Sequence, residues 1–367
     1  MRFREFHTEW EKIQIGNLIK ERKEYTSDFE KYPLYSFTIE SGITPKSDRY
    51  ERSFLVKKEG DLFKIVHQND FVMNPMNLRF GALNYSKINQ TVSVSGYYDI
   101  FTIDACKYNE FWNAYLKTPR MLYTYNTIAT GSLVEKKRVY FKQLKELKMC
   151  IPSEMEKNKI NEFINLLNER IQTQNKIIDD YNSLKIGIYN WMFKENYADY
   201  KLKQLAYIVK GDQINNDQLL SNGSYYMMNG GTSPSGYLDS YNVSENTISI
   251  SEGGNSCGYV QFNSSPFWSG GHCYTIQNVN SALIDNKYLF HYLKHKEKEI
   301  MNLRIGTGLP NIQKRDLENF TILAPNLSVQ RKNLALFEML DEKISVLNEE
   351  LTILEKQKKY LLCNMFI

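Results

Sequence analysis

Residues 154–193 read EMEKNKINEFINLLNERIQTQNKIIDDYNSLKIGIYNWMF, and this stretch decides the fold. Steps of four and three from Ile160 land on Ile164, Leu167, Ile171, Gln174, Ile178, Tyr181, Lys185, Ile188 and Met192. A mostly apolar stripe kept at that spacing over more than four heptads belongs to a helix that pairs along one narrow seam. Adding 173 to each number gives Asn333, Phe337, Leu340, Ile344, Leu347, Leu351, Leu354, Lys358, Leu361 and Met365. The second set is again a seam, with Lys358 at the step of Lys185. The correspondence runs upstream as well: Pro152 falls on Pro325, Leu144 on Leu317 and Val139 on Ile312. The chain therefore contains an internal duplication. A helix of about 38 residues is about 57 Å long at about 1.5 Å per residue. Ordinary globular helices average about 11–12 residues. Each seam needs a partner, and the nearest one is the other copy.

The totals describe a core-forming chain. Its 367 residues suffice for two domains, and 42% are hydrophobic against 24% charged. A formal net charge of +4 does not by itself announce a nucleic-acid partner. Cys106, Cys150, Cys257, Cys273 and Cys363 are scattered without a CxxC, which suits a reducing compartment. Arg2, Arg4, Glu5 and Glu9 stand where a secretory signal would be apolar. No apolar run approaches the roughly 20 residues of a membrane span. A cytoplasmic protein without a membrane partner is expected.

In chain order, the first domain is expected over residues 1–153, with spacer helices over 154–196 and 327–367 flanking a second domain, 197–326. The first domain opens with the amphipathic stretch Trp10–Ile19. Strands are expected at Tyr35–Thr38, Phe54–Val56 and Phe63–Ile65, and Asp70–Ala82 reads as a strand entering a turn. Val92–Ile103 reads as one buried strand with its continuation, and Asn109–Leu122 as a helix. The basic run Lys136-Lys-Arg138 comes next. Tyr200–Val209 then repeats the opening at an offset of 190. The middle diverges: residues 211–271 hold ten of the nineteen glycines, around strands such as Thr247–Ile250 and Gly258–Phe262. A helix over Lys287–Leu303 closes the domain. The ends of each half repeat while the middles differ.

A duplicated frame carrying two dissimilar inserts resembles the specificity subunit of Type I restriction–modification systems. The residues that carry the resemblance are Thr307–Leu317, Ile322-Leu-Ala-Pro325 and Ser328-Val-Gln-Arg331, with Thr130-Gly131, Val139, Leu144 and Cys150-Ile-Pro152 in the first copy. Met73–Ala82 with Val94–Tyr97 is similar to one type of recognition domain. Asn229–Ser235, Ile250–Ser256 and Pro266–Trp268 are similar to another. The first copy departs from the pattern, with about four extra residues between Gly131 and Pro152 and with Glu154-Met-Glu at the helix start. The resemblance implies an α+β fold: two α/β target-recognition domains separated by two long helices that form an antiparallel coiled coil with pseudo-two-fold symmetry. It implies seam contacts by Ile164, Leu167, Ile171, Ile178, Phe337, Leu340, Ile344, Leu347 and Leu351. It further implies a chain without an active site that reads a bipartite double-stranded DNA site. Two methyltransferase subunits and translocating restriction subunits would be its partners. S-adenosylmethionine, ATP and magnesium would belong to those partners, so no cofactor is expected in this chain.

DNA is positioned through phosphate contacts and read through base edges. In the first insert the candidates are Lys46, Arg49, Arg52, Lys57, Asn74, Asn77 and Arg79. In the second they are Asn229, Thr232, Ser233, Ser235, Asn255 and Ser256. A solvated face is the plain alternative for each. The second insert poses a difficulty, because residues 197–293 carry four lysines against seven acids, a net of −3. Its Gly, Ser and Asn turns would have to supply close backbone and amide contacts, with Lys294, Lys296, Lys298, Arg304, Lys314 and Arg315 flanking them.

Catalytic alternatives have less to stand on. There is no Gly-Lys dipeptide, hence no ordinary P-loop, and no GxGxxG turn. Asn74-Pro-Met-Asn77 partly resembles the Asn-Pro-Pro-aromatic loop of adenine methyltransferases, without its second proline and aromatic. A self-contained methyltransferase would use it. His291 with His295, or Cys257 with His272 and Cys273, fit no common metal pattern, and the histidine pair is expected at the surface. A coiled-coil scaffold that binds no DNA is the remaining alternative.

Overall fold

A computed structural model describes residues 2–39, 42–45, 62–132, 137–193, 197–306, 308 and 310–366. The fold is α+β, and the expected long helices are present as Glu154–Met192 and Leu327–Met365, 39 residues each. Seam positions from Ile160 to Met192 and from Asn333 to Met365 are all buried or half-buried, with runs of exposed residues between them. The chain divides into two compact units, Met1–Gln174 with Glu350–Ile367, and Asn175–Glu349. Each unit thus contains part of both long helices.

In the second unit the two helices run antiparallel. The Tyr189 and Phe337 rings meet edge-on at 4.4 Å, and Lys185, one turn earlier, pairs with Asp341, one turn later. In the first unit Gln174 donates to Glu350 at 3.1 Å, while Ile160 and Ile164 share a core with Met365 and Phe366. That is again antiparallel. Phe366 packs on Phe111 and Tyr115 at 5.8 and 5.4 Å, so the last turn of the chain closes the first core.

Each unit repeats one frame around its own sheet. In the first, Glu11–Gln14 pairs antiparallel with Lys148–Ile151, the strand that leads into the first long helix. In the second, Ala198–Lys201 pairs the same way with Thr321–Ala324. The main sheet of the first unit has the order Ile19–Arg22, Asp99–Ile103, Phe71–Met73, Leu83–Tyr85. That of the second has the order Tyr207–Lys210, Cys273–Gln277, Thr247–Ser251, Val260–Asn263. Both place the last strand between the first strand and a central hairpin.

The repeat also governs one buried polar position. Lys157 and Gln330, 173 apart, are 1% and 0% exposed. Gln330 bonds the Leu283 and Pro325 carbonyls and the Asp285 amide. Lys157 instead bonds Asp104 at 2.8 Å and pairs with Glu154. Burial opposes its charge, but these two carboxylates outweigh burial and raise its pKa above the ordinary lysine value. Its ammonium also faces the Tyr108 and Trp112 rings. Asp104, Ala105 and Cys106 all hold positive φ, at 50°, 51° and 65°. Such a run is costly for residues with a Cβ, and the Lys157 bond ties it to the long helix.

Three expectations need correction. Val92–Ile103 is two strands in different sheets, Val92–Val94 and Asp99–Ile103, because the chain turns at Ser95–Tyr98. Asn109–Leu122 breaks into Asn109–Tyr115 and Pro119–Ile128; Thr118 caps the second helix and Pro119 occupies its first turn. Lys287–Leu303 likewise breaks at Lys296. The expected strand Phe54–Val56 lies outside the described residues. No described helix is long and apolar enough to cross a membrane.

Leu347, 4% exposed on the seam, gives a direct test of the helix pair. Leu347→Asp buries a carboxylate without a partner and should cost several kcal/mol. Loss of cooperative urea unfolding, or a midpoint at much lower urea, is the expected result. His291 provides a pH test. It is 5% exposed, with Nδ1 hydrogen-bonded to the Tyr189 hydroxyl at 2.8 Å. Burial, against the opposing pull of Asp341, lowers its pKa to about 4. The unfolded ring titrates near 6.5, so between these values the unfolded chain binds the extra proton. His291 therefore leaves stability intact above about pH 6.5 and diminishes it as pH falls towards about 4, by at most about 3 kcal/mol. Urea midpoints of His291→Gln should show a correspondingly shallower acid decline than the parent chain.

Candidate nucleic-acid interface

In the first unit the turn after Phe71–Met73 is locked by its own hydrogen bonds. The Asn74 side-chain oxygen accepts the Met76 amide at 3.1 Å, and the Asn74 amide donates to the Ala82 carbonyl at 3.0 Å. The Asn77 carbonyl accepts the Phe80 and Ala82 amides. Gly81 closes the turn at φ 88°, a conformation that favours glycine. Leu78 is buried, so Asn77, Arg79 and Phe80 are turned towards the surface to different degrees. Asn74 therefore acts as a turn cap, which is not how a base-holding catalytic loop would use it.

The turn carries a cationic and aromatic cluster. The Arg79 guanidinium lies 4.7 Å from the Phe80 ring centroid, and Phe80 is 57% exposed. The Val139 amide donates to the Pro75 carbonyl at 3.0 Å, and Arg138 bridges Thr130 through two backbone bonds of 2.9 Å. These bonds seat Arg138 beside the turn, with its guanidinium 6.0 Å from the ring of Tyr97, which is 72% exposed. Cations beside exposed rings put positive charge and apolar ring faces on one surface, the combination that nucleic-acid backbones and bases meet. Phe80, Tyr97 and Arg138 were not among the expected contacts; the basic run 136–138 and the Val94–Tyr97 motif were the available signals. Lys46, Arg49, Arg52 and Lys57 lie outside the described residues.

In the second unit the structure brings both glycine turns to one pocket of about 410 Å³. It is lined by Lys210, Asn229, Gly230, Glu252, Gly253, Gly254, His272, Pro310 and Asn311. The Asn229 side chain accepts the His272 amide at 2.9 Å, and the Ser251 hydroxyl donates to the Gly230 carbonyl at 2.7 Å. Gly230 adopts φ 81° with His272 Cβ only 3.2 Å from where a side chain would begin. The Gly254 amide donates to the Pro310 carbonyl, which ties Pro310 and Asn311 to the pocket. Thr232, Ser233, Ser235 and Asn255 are exposed on the two turns, and Asn229 and Ser256 are half-buried.

Glu252 lies beneath this rim, 8% exposed. Its Oε1 accepts Lys210 at 2.6 Å and the Tyr274 hydroxyl at 3.0 Å, and its Oε2 lies 3.5 Å from His272 Nδ1. Burial, followed by this hydrogen bond and the carboxylate charge, raises the Tyr274 pKa and keeps the phenol protonated as a donor. The acid at the centre of the pocket is thus offset by a lysine. Neither Glu252 nor Lys210 was expected here, since spacing does not show which acid meets which base. Thus the net charge of −3 over residues 197–293 does not describe the local face.

The metal alternatives find no support in side-chain placement. His291 is a core residue rather than a surface one, and His295 packs on Tyr189 and Phe193. The Cys257 thiol donates to the Glu252 carbonyl, and the Cys273 thiol is buried and pushed up to about 11. Among the described residues no three metal-ligating side chains gather.

Comparison with known proteins finds likenesses in sequence over part of the chain and in fold over nearly all of it. Residues 194–356 match the model of the Type I restriction modification DNA specificity domain. Over 127 residues, 35% of the chain, it is 34% identical to a protein of Mycoplasma pneumoniae provisionally named a type I specificity subunit. A similarly named protein of Mycoplasma genitalium is 32% identical over 127 residues. These matches span about a third of each relative, 34% and 33%. In three dimensions the chain resembles the crystal structure of a Type I restriction-modification system S subunit from M. genitalium. The TM-score is 0.61 at 16% identity, covering 96% of this chain and 95% of that one. A chain from a study of complex assembly and conformational transition of the type I R-M system also gives 0.61. It does so at 12% identity and 98% coverage of both chains.

The Glu252 pocket yields a stability test. Lys210→Met removes the cation from a buried carboxylate and should cost about 1–3 kcal/mol. Glu252→Gln in the same chain should restore most of that loss, as measured by urea denaturation of the two single variants and the double variant.

Proposed function

We propose that this chain reads double-stranded DNA as two half-sites; it carries the Type I restriction modification DNA specificity domain over residues 194–356 and has the fold of that system's S subunits throughout. The observation that carries the proposal is one frame written twice around two unlike rims. The first rim is cationic and aromatic, built on Arg79, Phe80, Tyr97 and Arg138. The second is a glycine-rich polar pocket with a neutralised acid at its centre. Two readers of different chemistry would recognise two different short sequences, leaving an unread gap between them.

The chain supplies specificity, and partner subunits supply chemistry. Two methyltransferase subunits would methylate adenines within the site, and restriction subunits would translocate DNA and cut it. S-adenosylmethionine, ATP and magnesium would be bound by those partners in the cytoplasm. Within this chain the first reader would use Asn77 and Arg79, together with Lys46, Arg49, Arg52 and Lys57. The second would use Asn229, Thr232, Ser233, Ser235, Asn255 and Ser256 around the pocket.

The test is methylome sequencing of a methylation-free host that expresses this chain with its neighbouring methyltransferase. The expected outcome is a single split motif, one half of which changes when residues 197–293 are exchanged for those of another such chain. No methylation alongside a demonstrably active partner would count against the proposal. Arg79→Ala should leave the complex assembled and weaken binding of the identified site about tenfold, or about 1.4 kcal/mol. Unchanged affinity at every salt concentration would displace the first reading surface from this turn.

A further inference from the structure

The two halves of the helix pair are related by the 173-residue repeat, so each contact in one predicts a contact in the other. In the second unit the seam lysine Lys185 is neutralised by Asp341. The corresponding residues in the first unit are Lys358 and Asn168, so the lysine is kept and its acid is lost. A second change lies on the packed helix, where Phe111, Trp112 and Tyr115 correspond to Tyr288, Leu289 and Tyr292 at an offset of 177. All six are buried core residues. At that offset Lys117 corresponds to Lys294, which pairs with Glu297, but Arg120 stands in place of Glu297. His291, whose ring fills the space beside Asp341, is replaced by Ala114.

The substitutions leave two lysines without their acids and remove side-chain volume between them. A notch of about 410 Å³ is found there, with Lys117, Lys358 and Asn168 on its wall beside Ala114, Leu122 and Leu362. Its one carboxylate, Glu110, accepts from the Tyr85 hydroxyl at 2.7 Å and pairs with Lys87. Among the described residues, no carboxylate lies within salt-bridge distance of Lys117 or Lys358.

We propose that Lys117 and Lys358 frame an anion-binding notch that takes the carboxylate of an acidic side chain on an apolar segment of a partner protein. Such a carboxylate would enter the notch beside Asn168 and give Lys358 the counter-charge that Asp341 gives Lys185. The apolar walls favour a protein segment over the phosphates of a solvated nucleic acid. Burial first, then the charges of Lys358 and Lys87, lowers the Lys117 pKa to about 8 against the pull of Glu110. The partner assignment rests on the proposed function and makes the methyltransferase subunit the bearer of this segment. The notch itself does not depend on it.

Asn168→Asp provides the test, because it rebuilds inside the chain the acid that the repeat predicts. In the full chain with 13C-labelled lysine, titration with acetate against chloride at equal ionic strength should shift the Lys117 and Lys358 resonances saturably. Asn168→Ala should respond likewise and Asn168→Asp should not. An absent response in the parent chain, or an equal one in Asn168→Asp, overturns the notch. Affinity for the purified methyltransferase subunit should fall about tenfold in Asn168→Asp and stay within about twofold in Asn168→Ala. Undiminished binding by Asn168→Asp overturns the partner assignment. A parent chain that does not bind the subunit at all counts against the proposed function, while the acetate titration still decides the notch.

Discussion

The structure depends on a seam that neither helix can bury alone. A 39-residue amphipathic helix exposes an apolar stripe along its whole length, and water would be left on Ile160, Ile164, Phe337 or Leu347 without a second helix. The chain meets this need with its own duplicate. The first unit is therefore not contiguous in sequence: residues 350–367 return to it from the far end. Met365 and Phe366 complete a core begun by Ile15 and Phe71, so this core cannot form until almost the whole chain is available. Contacts between residues so distant in sequence are slow to form, because the loop entropy is spent before they reward it.

The features with a period were legible in the sequence. The seam repeats every three and four residues and the frame every 173, and the two long helices follow from these regularities. The same arithmetic places Lys157 and Gln330 at one buried position, although each satisfies it with different partners. Short elements were less legible, since local composition does not reveal where the backbone reverses. Val92–Ile103 looks like a single apolar run, yet the turn at Ser95–Tyr98 sends its halves to different sheets. His291 reads as a polar residue on a helix face and proves to be buried, because Tyr189 supplies its hydrogen bond from the other end of the unit's sequence.

The candidate reading surfaces show the same division. Glycine turns at 229–235 and 250–256 stand out by composition, and they line one pocket. What they surround did not stand out. Lys210 and Tyr274 come from two strands, Glu252 follows a third and His272 lies in a turn, and only the pairing of Ser251 with Cys273 and of Lys210 with Tyr274 assembles them. A net charge summed over the domain counts Glu252 as one acid among seven, whereas in place it is one half of an ion pair.

Duplication also makes departures from symmetry informative. Once two halves share a frame, a residue that changes in one half has a reference in the other. Asn168 alone would be an unremarked polar residue on a long helix. Set against Asp341, it becomes a lost counter-charge beside a retained lysine, and Ala114 set against His291 becomes removed volume at the same place. Either change alone could be drift on a tolerant surface. Together they replace an internally satisfied ion pair with a cationic recess, at the cost of holding partly buried charge that Glu110 offsets only from a distance.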